Sequence, residues 1–244
     1  MMYFVLKTGV YEWKGMETIM YKCCIFDLDG TLVNSIYAIQ RSVDLSLERW
    51  GMRKVSVEEC KVFVGDGYKK LLERALAACG DEKQTHYEEA VARYPEIFKG
   101  CCMYRVEAYD GILALLDFLR EHGIKAAVLS NKPHPRTLDN VNGVFGSGRF
   151  DLVYGEREDK GIKKKPAPDG VWAMIEELGV NRDEVLYLGD TNTDMTTGRN
   201  AGVDTVGVTW GFRDRQELEA FSPRLIADHP LDVVRFIKEV NGIE

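Results

Sequence analysis

Four short apolar runs, separated by amphipathic helical patterns, place the strongest constraint on the fold of this chain. The runs lie at residues 22–27, 124–131, 184–190 and 203–208. Between them, segments such as 111–123 carry apolar residues at helical spacing and end at a glycine. Strands that are apolar throughout are typically buried on both faces of a parallel sheet, and helices connect such strands. The alternation therefore predicts an α/β fold with a doubly wound, Rossmann-like parallel sheet.

Residues 35–105 interrupt this alternation with helical patterns alone. The candidate helices are Ile36–Trp50, Ser56–Phe63, Gly67–Cys79 and Glu82–Lys99. Ser56 and Glu59 have the spacing of a capping box at the start of the second helix. We therefore predict a helical insert at 35–105 within an α/β core formed by 21–34 and 106–244. Residues 1–20 are predicted to be an N-terminal extension of uncertain order.

Composition and charge exclude several classes of partner. The chain has 244 residues and a formal net charge of −7, which argues against binding nucleic acid, because such binding needs clustered Lys and Arg. No long apolar stretch indicates a signal peptide or a membrane span. Six cysteines without a CxxC pair favour reduced thiols over a zinc site or a disulfide framework. We predict a cytoplasmic protein that contacts neither nucleic acid nor membrane.

Polar side chains follow three of the predicted strands at the point where each strand ends. Asp27 and Asp29 follow the first strand, Ser130–Asn131 end the second, and Asp190 ends the third, with Asp194 one helical turn later. Each feature alone is typical of a turn or a helix N-cap. Together they predict a site, because ligands bind at the carboxyl ends of parallel strands. Four carboxylates in one crevice would repel each other without a cation, and such oxygen ligands suit Mg²⁺.

A run of three lysines, residues 163–165, supplies positive charge for a phosphorylated ligand. Such runs are usually solvated surface turns. Lys165 differs from its neighbours because Pro166 restricts the chain immediately after it, which favours one direction for the ammonium group. We expect Lys165 to point into the same crevice as the carboxylates.

The ordered set of segments resembles the motifs of the haloacid dehalogenase superfamily of phosphatases. The segments are Asp27–Thr31, Ser130–Asn131, Lys165–Pro166 and Gly189–Thr191 with Asp194. The resemblance spans roughly residues 21–240. It implies that the helical insert at 35–105 is a cap domain, which in this family follows the first motif. The second aspartate, Asp29, is absent from the metal-independent dehalogenases, so its presence implies phosphoryl transfer.

By this resemblance, Asp27 is the nucleophile that forms an aspartyl phosphate and Asp29 is the general acid and base. The resemblance also implies a phosphate site and a Mg²⁺ site. The phosphate ligands would be Thr31, Ser130, Asn131 and Lys165. The metal ligands would be Asp27, the backbone carbonyl of Asp29, Asp190, and Asp194 either directly or through water.

The segment FVGDGYKKLLERAL, residues 63–76, is similar to the cap loop and helix of bacterial phosphoglycolate phosphatases. It implies that Gly65 and Tyr68 contact a small phosphorylated metabolite, although Tyr68 replaces a residue that is commonly small in those relatives. Three alternatives stay open: a pyrophosphatase, a phosphosugar mutase of the β-phosphoglucomutase type, and a non-catalytic protein that binds a phosphorylated metabolite. We expect a monomer or a homodimer.

Overall fold

A computed structural model describes residues 20–244 of the chain. Apart from Met20, the predicted N-terminal extension at 1–20 lies outside the described residues. These residues form eight strands, β1 (Cys23–Phe26), β2 (Val33–Asn34), β3 (Glu107–Ala108), β4 (Lys125–Pro133), β5 (Leu152–Glu156), β6 (Val185–Gly189), β7 (Asp204–Val208) and β8 (Leu225–Ala227). They also form ten α-helices, α1 (Ile36–Glu48), α2 (Val57–Phe63), α3 (Tyr68–Ala78), α4 (Tyr87–Cys101), α5 (Ile112–Glu121), α6 (His134–Phe145), α7 (Asp169–Leu178), α8 (Asn192–Ala201), α9 (Arg215–Glu219) and α10 (Pro230–Asn241).

Six of the strands form one parallel sheet in the order β5-β4-β1-β6-β7-β8. The four predicted strands are its four central members, and every residue of β1 and β6 is buried. Helices cover both faces. Leu115 of α5 and Val233 of α10 belong to one buried cluster, and Val171 and Met174 of α7 belong to another. The predicted α/β fold with a doubly wound sheet is confirmed.

The two edge strands of the sheet, β5 and β8, are not among the predicted strands. Both are short and have half-buried positions. They therefore lack the continuous apolar run that identifies a central strand. The sheet thus has two more strands than the sequence pattern indicates.

Helices α1 to α4 pack against one another around a separate apolar cluster that includes Val43, Leu72 and Phe98. The predicted capping box of Ser56 and Glu59 is present at the start of α2. The chain enters and leaves this bundle through β2 and β3, which pair antiparallel. We propose these two connections as the boundary between a core domain and a cap domain at 35–105.

The last cap helix begins five residues later than the predicted start at Glu82, so that boundary was wrong. The carboxylate of Asp81 accepts the backbone N–H groups of Thr85 and His86, each at 2.8 Å. This turn satisfies the backbone before α4 begins at Tyr87. In residues 20–244, no helix combines the length and the apolar character that crossing a membrane requires.

Candidate active site

The polar residues that end the central strands meet at one edge of the sheet. They do so because β1 lies in parallel register between β4 and β6. A cavity of about 590 Å³, which includes space open to solvent, lies between this edge and the helical cap. Asp27, Asp29 and Ser130 line it from the core, and Gly65 and Tyr68 line it from the cap. The sequence predicted all five of these residues.

Lys165 joins two of the predicted carboxylates. Its Nζ lies 2.7 Å from Oδ1 of Asp27 and 2.7 Å from Oδ1 of Asp194. All three side chains are buried. Burial raises the pKa of Asp27 to about 7, and the positive charge of Lys165 opposes this rise. Burial alone would lower the pKa of Lys165, but the charges of Asp194 and Asp27 hold it well above its usual value.

Asn131 positions Lys165 through the backbone. Its side-chain oxygen accepts the N–H of Lys165 at 2.9 Å, and its side-chain nitrogen donates to the carbonyl of Lys165 at 3.0 Å. The same nitrogen also donates to the carbonyl of Gly65 in the cap at 3.2 Å. The amide of Asn131 is therefore used within the protein and aligns the lysine segment with the end of β4.

Asp190 is fully buried, and neighbouring residues enclose it closely. Its carboxylate accepts the hydroxyl of Thr31 at 3.0 Å and the backbone N–H of Phe212 at 2.8 Å. Gly30 and Gly211 lie against it, and a Cβ atom on either would come within 2.4 Å of Asp190. Only glycine fits these two positions. Burial, with the charge of Asp194 added, raises the pKa of Asp190 well above its usual value.

Asp194 completes a capping box at the start of α8. The hydroxyl of the N-cap residue Thr191 donates to Asp194 at 2.6 Å, and the backbone N–H of Thr191 donates to it at 3.1 Å. The hydroxyl of Tyr187 donates at 3.2 Å. The N-cap explanation is therefore observed, and it is compatible with the predicted site role of this segment, because one carboxylate can serve both.

The carboxylates of Asp27, Asp190 and Asp194 form a set that fits a divalent cation. Each offers one oxygen, and the three oxygens lie within 4.8 Å of one another. Hard oxygen donors of this kind suit Mg²⁺. Lys165 carries one positive charge against three carboxylates, and burial makes the remaining negative charge costly. A divalent cation would remove that cost, so the donor set fits the predicted magnesium.

Asp29 is not one of the three clustered carboxylates, and it has two partners that the sequence did not indicate. Its Oδ1 accepts the ammonium of Lys132 at 2.6 Å and the hydroxyl of Ser35 at 2.5 Å. Lys132 also donates to the side chain of Asn140. No spacing pattern identifies Lys132 as a partner, because it is 103 residues from Asp29 along the chain.

Thr31 does not line the cavity within the described part of the chain. Its side chain is fully buried and its hydroxyl bonds to Asp190. The expectation that Thr31 contacts phosphate therefore stays a prediction, and its observed contact is with a candidate metal ligand. Tyr68 does line the cavity and stacks on Tyr94 with ring centroids 5.2 Å apart.

Comparison with known proteins matches residues 24–208 to the family model described as haloacid dehalogenase-like hydrolase. A phosphoglycolate phosphatase from Rhodospirillum rubrum is 32% identical over 199 residues, which cover 79% of this chain and 81% of that protein. One from Aquifex aeolicus is 30% identical over 213 residues, which cover 87% of this chain and 95% of that protein.

A solved structure from Lactobacillus delbrueckii subsp. bulgaricus superposes with a TM-score of 0.83 at 32% identity. The match covers 89% of this chain and 98% of that one, which is provisionally described as a phosphoglycolate phosphatase. These matches agree with the motifs at the strand ends and with the observed fold. The chain belongs to the haloacid dehalogenase-like hydrolases and is a phosphoric monoester hydrolase similar to phosphoglycolate phosphatases.

Proposed function

We propose that this protein is a Mg²⁺-dependent phosphatase of small phosphate monoesters that works through an aspartyl-phosphate intermediate. The observation that carries the proposal is the arrangement of Asp27 and Asp29 at the end of β1. Both line the cavity, but Asp27 pairs with Lys165 and belongs to the carboxylate cluster, whereas Asp29 pairs with Lys132. One carboxylate is therefore suited to nucleophilic attack and the other to proton transfer.

In the first step, a carboxylate oxygen of Asp27 forms a bond to phosphorus while the bond from phosphorus to the ester oxygen breaks. Asp29 donates a proton to the departing oxygen. Lys165 balances negative charge next to the attacking carboxylate. Ser130 lines the same cavity, where its hydroxyl would donate to a phosphate oxygen. The family resemblance assigns these roles, and the observed placement supports them.

In the second step, Asp29 accepts a proton from a water molecule as the water oxygen attacks phosphorus. Phosphate leaves and the carboxylate of Asp27 is restored. Asp27, Asp190 and Asp194 would hold Mg²⁺, with the backbone carbonyl of Asp29 as a further ligand. When bound, the ion supplies positive charge that neutralises phosphate oxygens. Lys132 and Ser35 hold the Asp29 carboxylate so that it reaches the cavity.

Phosphotransfer within a sugar phosphate is the second candidate function. A solved structure from Bacteroides vulgatus, provisionally described as a β-phosphoglucomutase, shares the fold with a TM-score of 0.71 at 20% identity. At that identity the likeness extends to the fold alone. The two functions differ in their products, because a phosphatase releases inorganic phosphate and a mutase returns an isomeric ester. The monomer or homodimer state and the cytoplasmic location stay predictions.

The test is phosphate release from a panel of phosphorylated metabolites with Mg²⁺ present, comparing wild type with Asp27→Asn. We expect the variant to lose turnover by roughly a thousandfold or more, because an amide is a poor nucleophile. Asp159→Asn is the matched control, since the side chain of Asp159 is 74% exposed.

Removal of divalent metal should abolish wild-type turnover. Retention of more than a few per cent of activity in Asp27→Asn would contradict the mechanism, and isomer formation without phosphate release would favour the mutase.

A further inference from the structure

The cap side of the cavity is built from apolar and aromatic side chains. Ile39 and Leu71 line it, and the rings of Tyr68, Tyr94 and Phe98 form a continuous stack. The centroids of Tyr68 and Tyr94 are 5.2 Å apart with an interplanar angle of 3°, and those of Tyr94 and Phe98 are 5.5 Å apart at 10°. Among the described residues that line the cavity, none contributed by the cap carries a charge.

The two lysines that line the cavity come from the core, and both are already paired. Lys165 contacts two carboxylates, and Lys132 contacts Asp29 at 2.6 Å as well as Asn140. The Lys132 side chain is only 4% exposed. A third cation, Lys164, lies beyond the cavity lining, where it pairs with Glu156 at 3.0 Å and Glu158 at 3.5 Å. Each of these three lysines is therefore already paired with at least one carboxylate, and Lys132 and Lys165 are the only cations among the described residues that line the cavity.

We propose that the phosphate esters accepted by this site have an uncharged leaving group with an apolar or aromatic surface, which packs against the stack of Tyr68, Tyr94 and Phe98. This inference rests on the proposed phosphatase function and specifies its substrate class. The inferred substrate class excludes phosphoglycolate, the ester for which the similar phosphatases are named. Phosphoglycolate has a carboxylate on the carbon next to the leaving oxygen.

The physical reason is the cost of desolvation. A carboxylate on the leaving group would lose water against ring faces and aliphatic side chains. The ammonium of Lys132, 5.2 Å from the ring centroid of Phe98, is already paired with Asp29, and burial of an unpaired charge is strongly unfavourable. A flat uncharged group would instead gain apolar burial and stacking contacts at the same surface. The cap would therefore select by charge, whereas the proposed phosphate ligands that line the cavity, Ser130 and Lys165, belong to the core.

The test uses two pairs of esters that differ only in charge. The pairs are phosphoglycolate with phosphoglycolamide, and 3-carboxyphenyl phosphate with 3-carbamoylphenyl phosphate. With wild-type protein and Mg²⁺, we expect kcat/KM for each carboxamide to exceed that of its carboxylate by roughly tenfold or more. Tyr68→Arg places a cation on the cap side and should shift this ratio toward the carboxylates by about tenfold relative to the neutral control Tyr68→Gln.

Equal or faster hydrolysis of the carboxylate in both pairs would overturn the inference. If Lys132→Gln then removed that preference, Lys132 would be identified as the anion receptor instead. Hydrolysis of phenyl phosphate distinguishes failure of this inference from failure of the proposed phosphatase function. Its hydrolysis together with a carboxylate preference would overturn the inference alone, whereas no phosphate release from any ester would overturn both. If Tyr68→Arg fails to fold, the wild-type ratios decide the outcome.

Discussion

The core and cap sides of the cavity are held in place by different forces. On the core side, Asp27, Asp190 and Asp194 are buried carboxyl groups that are fixed by ion pairs and hydrogen bonds. On the cap side, Tyr94 and Phe98 are buried rings that belong to the apolar cluster of the cap. Hydrogen bonds fix direction closely, whereas apolar packing tolerates exchange of one side chain for another of similar size.

Under the proposed mechanism, this difference would separate chemistry from selectivity. A small displacement of a core carboxylate would disturb the reacting atoms, so substitutions there should reduce turnover for every ester. A change on the cap side alters what the leaving group contacts and should change the ranking of esters. Substitutions at the core, at the contact between cap and core, and within the cap test this division.

The largest effect is expected from Asp190→Asn, which removes one charge from the carboxylate cluster. We expect kcat/KM to fall by roughly a hundredfold or more for all esters, because the cluster would hold Mg²⁺ less tightly. We expect Mg²⁺ to raise the Tm of wild type, and this rise should shrink in the variant, which gives a readout independent of turnover. Asp183→Asn is the control, since Asp183 is exposed in the turn before β6. An unchanged Mg²⁺ stabilisation would show that Asp190 is not a metal ligand.

An intermediate effect is expected from Arg213→Ala, because Arg213 lies where core and cap meet. The Arg213 guanidinium donates to the carbonyls of Lys61, Val62 and Val64, with distances of 3.3 Å to Val62 and 2.9 Å to Val64. These carbonyls lie at the end of α2, so loss of the three hydrogen bonds should loosen the cap over the cavity. We expect kcat/KM to fall about tenfold, mostly through KM.

Arg215→Ala is the matched control for Arg213→Ala. Arg215 is an exposed neighbour that pairs with Asp228 and Glu219, away from the cap. Equal losses in the two variants would show that the contacts of Arg213 with α2 do not hold the cap. A change in the ranking of esters would instead place Arg213 among the residues that determine selectivity.

The smallest effect is expected within the cap, from Glu59→Gln. The hydrogen bond from Arg53, followed by those from Ser56, lowers the pKa of Glu59 to about 2. The pKa of Glu59 in the folded state is lower than its unfolded-state value of about 4.5. Glu59 therefore stabilises the folded state above about pH 4.5, and this contribution is lost as the pH falls toward 2. Wild type should therefore have the higher Tm at pH 7, and the difference should vanish near pH 2.

Thermal unfolding of both proteins between pH 2 and pH 7 measures this difference. Glu58→Gln is the control, because Glu58 is the adjacent residue and its side chain is 79% exposed. We expect the Glu59→Gln variant to keep wild-type turnover at 25 °C, since Glu59 does not line the cavity. A Tm difference that does not change with pH would contradict the assigned cause.

The family motifs were predictable because each is a local pattern at the end of a strand. Asp27, Ser130 and Asp190 follow apolar runs, and parallel strands bring such ends together whatever the details of side-chain packing. Lys165 was predictable from its position before Pro166. The start of α4 was not, because the turn held by Asp81 competes with a helical pattern that continues through the same residues.

The sequence by itself determined the parallel sheet, the helical insert and the residues that meet at the strand ends, since apolar periodicity and strand direction encode them locally. Only the tertiary structure decided the partners of those residues. The ion pair of Lys132 with Asp29, and the ring stack of Tyr68 with Tyr94, join segments far apart in the chain. The first contact depends on packing within the core and the second on the packing of α3 against α4 within the cap, and no local pattern specifies either.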